Sequence, residues 1–273
     1  MKRGSLLTSF CAGLMVLAFG FPASIAQEAE ADMEAQVEPE AETSTETAAD
    51  TEPELTSGEI AFNEAADAYE SEDYRFARGA FKLACQMENL DGCHMHGLLL
   101  YEGLGGEVDM PGARAFFKAG CEQGSARSCF SYGLMSVNGE GGEVDAEAGI
   151  AAYDQACEDH YLTACHNLAL VLQRDDIVSQ NLPKARTLYQ KACIGGYTSA
   201  CANFGLMQAR GQGGPELPAE ARETFSEACE EENALGCYLY SIALIDEAGG
   251  EADMFASQDA REKACELGYE EAC

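Results

Sequence analysis

The sequence predicts an all-α protein, an α/α superhelical solenoid of helical hairpins, each stapled by a disulfide. Three observations carry this. Twelve of the 13 cysteines fall in pairs eight residues apart: Cys85/Cys93, Cys121/Cys129, Cys157/Cys165, Cys193/Cys201, Cys229/Cys237 and Cys265/Cys273. The pairs recur every 36 residues, and a fixed period of this length marks stacked structural repeats. Acidic, aromatic and small residues keep the same step. Finally, the start of the chain reads as an export signal, which places the thiols where disulfides form and persist.

The elements follow in chain order. Lys2 and Arg3 precede an apolar run from Leu6 to Phe19, and Ser24-Ile25-Ala26 sets small residues at a cleavage position. Residues 1–26 are therefore expected to be a cleavable signal peptide that carries the thirteenth cysteine, Cys11, away with it. The run is shorter than the ~20 apolar residues of a membrane span, and no later segment is apolar enough to cross a bilayer. Residues 27–58 hold eleven Asp and Glu and no Lys or Arg. Such a segment cannot bury enough apolar surface to offset the entropy of ordering, so it reads as a disordered acidic linker. Residues 59–71, with Ile60, Phe62, Ala65 and Tyr69, read as a capping helix. Six repeats then run to Cys273, the sixth with its first helix and almost none of its second.

The cysteine spacing dictates hairpins. Eight residues along one helix rise about 12 Å, whereas a disulfide holds its two Cα atoms within about 7 Å. The chain must turn between the members of each pair. Gly124, Gly196 and Gly268 stand in that turn, as helix-terminating residues do. Glu88, His160 and Glu232 take the same position in the other repeats. Twelve residues before the first cysteine stand Asp73, Asp109, Asp145, Asn181 and Asp253, with Leu217 the exception. Asp and Asn there cap a helix N-terminus, and Pro111 and Pro183 follow in the first turn. Four residues before the cysteine come Phe81, Phe117, Tyr153, Tyr189 and Phe225, on the cysteine's own helix face. Gly92, Ser128, Ala164, Ala200, Gly236 and Ala272 precede the second cysteine, small residues that allow close helix approach. Gly105-Gly106, Gly141-Gly142, Gly213-Gly214 and Gly249-Gly250 punctuate the exit loops. The third repeat has Ile177-Val178 instead, so its loop is expected to differ.

Composition bounds the function. The formal net charge is −32, and residues 59–273 alone carry −23. That excludes nucleic acid, whose binding rests on Lys and Arg neutralising phosphates, and docking on anionic lipid. Zinc spacings such as C-x2-C are absent, and His94 and His96 lie two apart, on different faces of a helix. No metal or cofactor is expected, and the chain is expected to be a monomer.

The register of Asp, Phe/Tyr, Ala-Cys, turn, small-Cys and Gly-Leu resembles the Sel1-like repeat, a relative of the tetratricopeptide repeat. The C-x7-C form is similar to the Helicobacter cysteine-rich proteins. The resemblance covers about residues 60–273. It implies an adaptor for protein or peptide partners. For the cysteine-rich members it also implies β-lactam binding with weak β-lactamase activity. The chain has no Ser-x-x-Lys, Lys-Thr-Gly or G-x-S-x-G string, so the resemblance carries over no catalytic residue.

One polar column is a candidate binding feature. Arg78, Arg114, Arg186 and Arg222 stand seven residues before the first cysteine, interrupted by Ile150 and Gln258. A row of arginines suits the carboxylates of an acidic peptide or ligand. The competing use is ion pairing between repeats with the abundant Glu and Asp. The expected function is an exported binding scaffold of the cell envelope.

Overall fold

A computed structural model describes residues 54–273. The segments read from the sequence as a signal peptide and, for nearly all of its length, an acidic linker lie outside the described residues. Within them the chain is all-helical: α1 Ser57–Glu70, α2 Tyr74–Gln86, α3 Leu90–Glu102, α4 Met110–Glu122, α5 Ala126–Asn138, α6 Ala146–Glu158, α7 Leu162–Gln173, α8 Leu182–Ile194, α9 Thr198–Ala209, α10 Pro218–Glu230, α11 Ala234–Ala243 and α12 Met254–Glu266. Short 3-10 turns occupy Glu247–Gly249 and Glu270–Ala272. Each helix packs on the next in sequence. The even-numbered helices from α2 are the first helices of the repeats.

Local chemistry sets the helix ends. The side chains of Asp73, Asp109, Asp145 and Asn181 each accept the backbone N–H three residues on, and Asp253 accepts two such donors. Leu217 offers no side-chain cap. Each first helix ends in a left-handed residue. Gly124, Gly196 and Gly268 adopt it at φ 91–97°, and Glu88, His160 and Glu232 at φ 59–65°. The tight turn then brings each cysteine pair together. All six bridges form, with Cα atoms 4.3–5.1 Å apart.

The sequence treats the two cysteines of a pair alike, and at Cys121–Cys129, Cys157–Cys165 and Cys229–Cys237 both members are indeed buried, but in the other three bridges their surroundings differ. Cys93, Cys129, Cys165, Cys201 and Cys237, the second members of the first five pairs, are all buried in the stack, at 0–7% exposure. Cys85, Cys193 and Cys265 are only half-buried, and Cys273 is exposed at the chain end. The small residue before each second cysteine allows the consistent burial of the second members. At Gly92 and Gly236 a Cβ would stand 2.7 and 2.6 Å from the Ala84 and Ala228 Cβ atoms, so the second helix sits directly on the first. That seats its cysteine on the inner side of the hairpin. These five residues are therefore core packing as well as bridge partners, and they do not belong to any surface that a ligand could reach.

Between hairpins, rings fill gaps left by small residues. Phe117 lies against Gly97, Tyr153 against Gly133 and Phe225 against Gly205, and a Cβ on any of these glycines would enter the facing ring. On α3, α5 and α7 a second ring completes the contact. His94 packs on Phe117, Phe130 on Tyr153, and His166 on Tyr189, with centroids 5.3–5.9 Å apart. Such ring pairs contribute about 0.5–1.5 kcal/mol each beyond their buried area. In α12 the aromatic column holds Arg261 instead, whose Nε donates to the Ala272 carbonyl at 2.9 Å.

Candidate interaction face

The first helices form a row. Polar side chains link consecutive members. Gln155 donates to the Cys121 carbonyl at 3.1 Å, Lys191 to the Cys157 carbonyl at 2.6 Å, and Lys263 to the Cys229 carbonyl at 2.7 Å. These donors stand two residues before their own cysteine and reach the C-terminal end of the preceding first helix, where exposed carbonyls favour cations. Lys184 of α8 adds an ion pair to Asp154 of α6 at 3.0 Å. Mixed residue types at this column hide it from sequence reading.

The arginine column has a different use from the expected ion pairing. Arg78 Nη1 donates to the Glu107 carbonyl at 3.1 Å. Arg114 Nη1 donates to the Glu143 carbonyl, Arg186 Nη1 to the Pro215 carbonyl and Arg222 Nη1 to the Glu251 carbonyl, each at 2.8 Å. Every bond spans 29 residues, from a first helix to the exit loop of its own repeat. Among the described residues, none of the four forms an ion pair. The physical reason is proximity: the glycine pair brings loop backbone against the first helix. The first glycine, at φ 70–73° in three loops, lies against the start of the first helix. The second lies under the guanidinium, so that a Cβ at Gly142 would stand 2.7 Å from Arg114 Nη1. The third repeat lacks both partners together. Ile150 replaces the arginine, Ile177-Val178 replaces the glycines, and all three pack against the apolar core.

The outer face of the row changes from repeat to repeat while the buried columns stay constant. Nine, six and two residues before the cysteine, α2 presents Phe76, Gly79 and Leu83. The same columns of α10 present Glu220, Glu223 and Glu227, all exposed. Lys184 and Lys191 of α8 occupy two of these columns and are engaged with the preceding repeat.

The buried polar groups are structural in their surroundings. His94 Nε2 and Ser131 Oγ are 3.3 Å apart, the pairing that a serine nucleophile and its base would adopt. Ser131 is 0% exposed and His94 5%, so no carbonyl substrate reaches the hydroxyl. Burial, with the charge of Arg127 in support, pushes His94 down to about 3. Burial takes His96 down to about 4 against the opposing bond of its Nδ1 to the Arg78 carbonyl, and His166 down to about 4. All three are neutral imidazoles at ordinary pH. Among the described residues, no group of His, Cys, Asp and Glu is arranged to hold a metal ion.

A run of two-helix repeats with small-to-aromatic packing defines a helical-repeat scaffold. The Sel1 repeat family profile matches residues 90–125, 126–160, 162–197 and 198–233, together more than half of the chain, and the protein belongs to the Sel1 repeat family. In this phasing each unit begins at a second helix, so the cysteine bridges join consecutive units. Two solved structures share the fold. One is c5321, a protective antigen of uropathogenic Escherichia coli displaying an SLR fold (TM-score 0.74, 20% identity). That match covers 79% of this chain, which spans 47% of the antigen. The other is a Sel1 repeat protein from Oxalobacter formigenes (TM-score 0.71, 21% identity), with 76% of this chain and 85% of that one covered. Comparison with curated proteins gives no match.

Proposed function

We propose that this protein is an exported scaffold that holds a protein or peptide partner on its first-helix row in the cell envelope. One observation carries the reading. The repeats keep their inner columns fixed and vary their outer columns, which separates a constant frame from a recognition surface. Sel1 repeats generally serve as protein-interaction scaffolds, and the six disulfides suit an oxidising, extracytoplasmic compartment. Among the described residues, no helix is long and apolar enough to cross a membrane. The N-terminal segment supplies the export signal under this reading, with processing after Ala26.

The test is capture of partners from the native envelope by the oxidised protein, followed by titration with the purified partner. Saturable binding that weakens when surface residues of the row are changed, with the melting temperature unaltered, supports the scaffold. Consistent absence of a saturable partner sinks it. Recovery of the unprocessed chain from the cytosol would sink the export half.

A further inference from the structure

Helix α2 differs from every other first helix in what it does with its cations. Only α2 and α8 combine three Lys or Arg with no Asp or Glu. In α8 all three are engaged: Lys184 with Asp154, Arg186 with the loop, Lys191 with the Cys157 carbonyl. In α2 Arg78 holds its loop, whereas Arg75 and Lys82 are exposed and have no ion-pair partner among the described residues. They lie seven apart, and so on one side of the helix.

Phe76 and Leu83 form a parallel ridge beside them, also seven apart, and are 54% and 45% exposed. Their columns are those that hold Lys184 and Lys191 in α8, the residues that bind the neighbouring first helix. Between the two ridges is Gly79. A glycine inside a helix is less favourable than alanine, and it suits a place where something approaches the backbone closely. Among the described residues nothing explains this one: a Cβ at Gly79 would meet no atom within 4 Å. By contrast, Gly97, Gly133 and Gly205 each face a ring, and Gly120 and Gly149 lie against Ser128 and Val137. The outer side of α2 thus has an apolar ridge, a cationic ridge and a trough between them.

We propose that this face docks an acidic amphipathic helix of a partner protein, laid over Gly79. Its apolar residues pack on Phe76 and Leu83, and its carboxylates meet Arg75 and Lys82. A helix is favoured because both ridges repeat at seven residues, the spacing of a helical seam. An acidic partner is favoured because Arg75 and Lys82 are exposed cations with no ion-pair partner among the described residues, a local positive patch on a chain whose net charge is negative. The inference rests on the scaffold reading and gives it a location and a partner chemistry.

The experiment uses the full oxidised protein and a synthetic helical peptide with Leu at seven-residue spacing flanked by Glu, read by fluorescence anisotropy. A peptide with Lys for Glu is the control. Saturable binding of the acidic peptide alone is expected. Arg75→Glu with Lys82→Glu should weaken it about tenfold or more at low salt, and Phe76→Ser with Leu83→Ser should do likewise, without loss of helicity. Gly79→Ala separates docking from folding: it raises the melting temperature by about 2–4 °C and weakens the peptide. No saturable binding, equal binding of the Lys peptide, or binding indifferent to Arg75 and Lys82 overturns the proposal. So does a concentration-dependent dimer that the Phe76 and Leu83 changes abolish, which would make a second copy the occupant. A native partner retained in full by the α2 variants removes this site and leaves the scaffold standing. A wild type with no native partner removes the scaffold itself.

Discussion

His166 offers a sharp test of how the stack is held. Its ring lies against Tyr189 and Tyr197, with centroids 5.3 and 5.1 Å away. Its Nδ1 is buried without a hydrogen-bond partner among the described residues. Burial pushes the imidazole down to about 4, while the unfolded chain titrates near 6.5. The native state therefore refuses a proton that the unfolded state takes up. Stability is intact above about 6.5, falls as pH drops below it, and stops falling near 4, where the ring protonates in place. At about pH 5 the group is 1.5 units below its unfolded value, which costs about 2 kcal/mol at 1.36 kcal/mol per unit. His166→Phe keeps a ring between the two tyrosines and removes the proton. At neutral pH it should also relieve the unpaired nitrogen, a gain of about 1 kcal/mol. The variant should then exceed the wild type by about 3 kcal/mol at about pH 5. Urea unfolding followed by circular dichroism at neutral and acidic pH measures this, and titrating carboxylates cancel in the comparison. Parallel loss of stability in the two proteins on acidification would refute the assignment of a buried neutral ring.

Other outcomes follow from the same packing. Gly141→Ala forces a side chain at φ 70° against the Met110 carbonyl; a loss of about 2 kcal/mol or more is expected, visible as a lower urea midpoint. Glu232→Gly relieves a left-handed non-glycine residue at φ 59° and should stabilise by about 0.5–1 kcal/mol in the same assay. Lys191→Met removes a 2.6 Å bond to the Cys157 carbonyl; about 1–2 kcal/mol should be lost, with unfolding starting between α6 and α8. Excess reductant should lower the melting temperature sharply, because each eight-residue bridge contributes about 2–3 kcal/mol by restricting the unfolded chain; an unchanged melting curve would count against the bridges as staples.

Much of this architecture was legible because its determinants are residue types at fixed spacing. A cysteine needs another cysteine, an N-terminal cap needs Asp or Asn, and a ring needs a small residue opposite. Those identities repeat, so counting finds them. Spacing alone could not rank the two ends of a bridge: Cys93 and Cys85 look equivalent in the register, yet only Cys93 is buried. The arginine column was visible but its partner was not, since a loop carbonyl leaves no mark on the sequence. A signal did exist in the third repeat, where the arginine and both glycines are missing together. The links from Gln155, Lys191 and Lys263 were hidden because amide and ammonium groups do the same work there. Tyr161, Tyr197 and Tyr269 were also missed. They stand where Asn89, Ser125 and Asn233 cap second helices, but offer no side-chain cap. Instead they pack on Phe130, His166 and Tyr238 of the preceding repeat. On the outer face of α2 the residues can be read from the chain, but only the packing reveals which of them are unengaged.

Each cysteine in the described chain bonds to its nearest cysteine neighbour in sequence. A polypeptide delivered N-terminus first into an oxidising space presents its thiols in the order in which they must pair. Under the export reading, every bridge can close before the following pair arrives, so the direction of delivery by itself would give the correct connectivity without later shuffling. Pairing of nearest neighbours needs only a thiol oxidant, and it lets the stack grow one locked hairpin at a time.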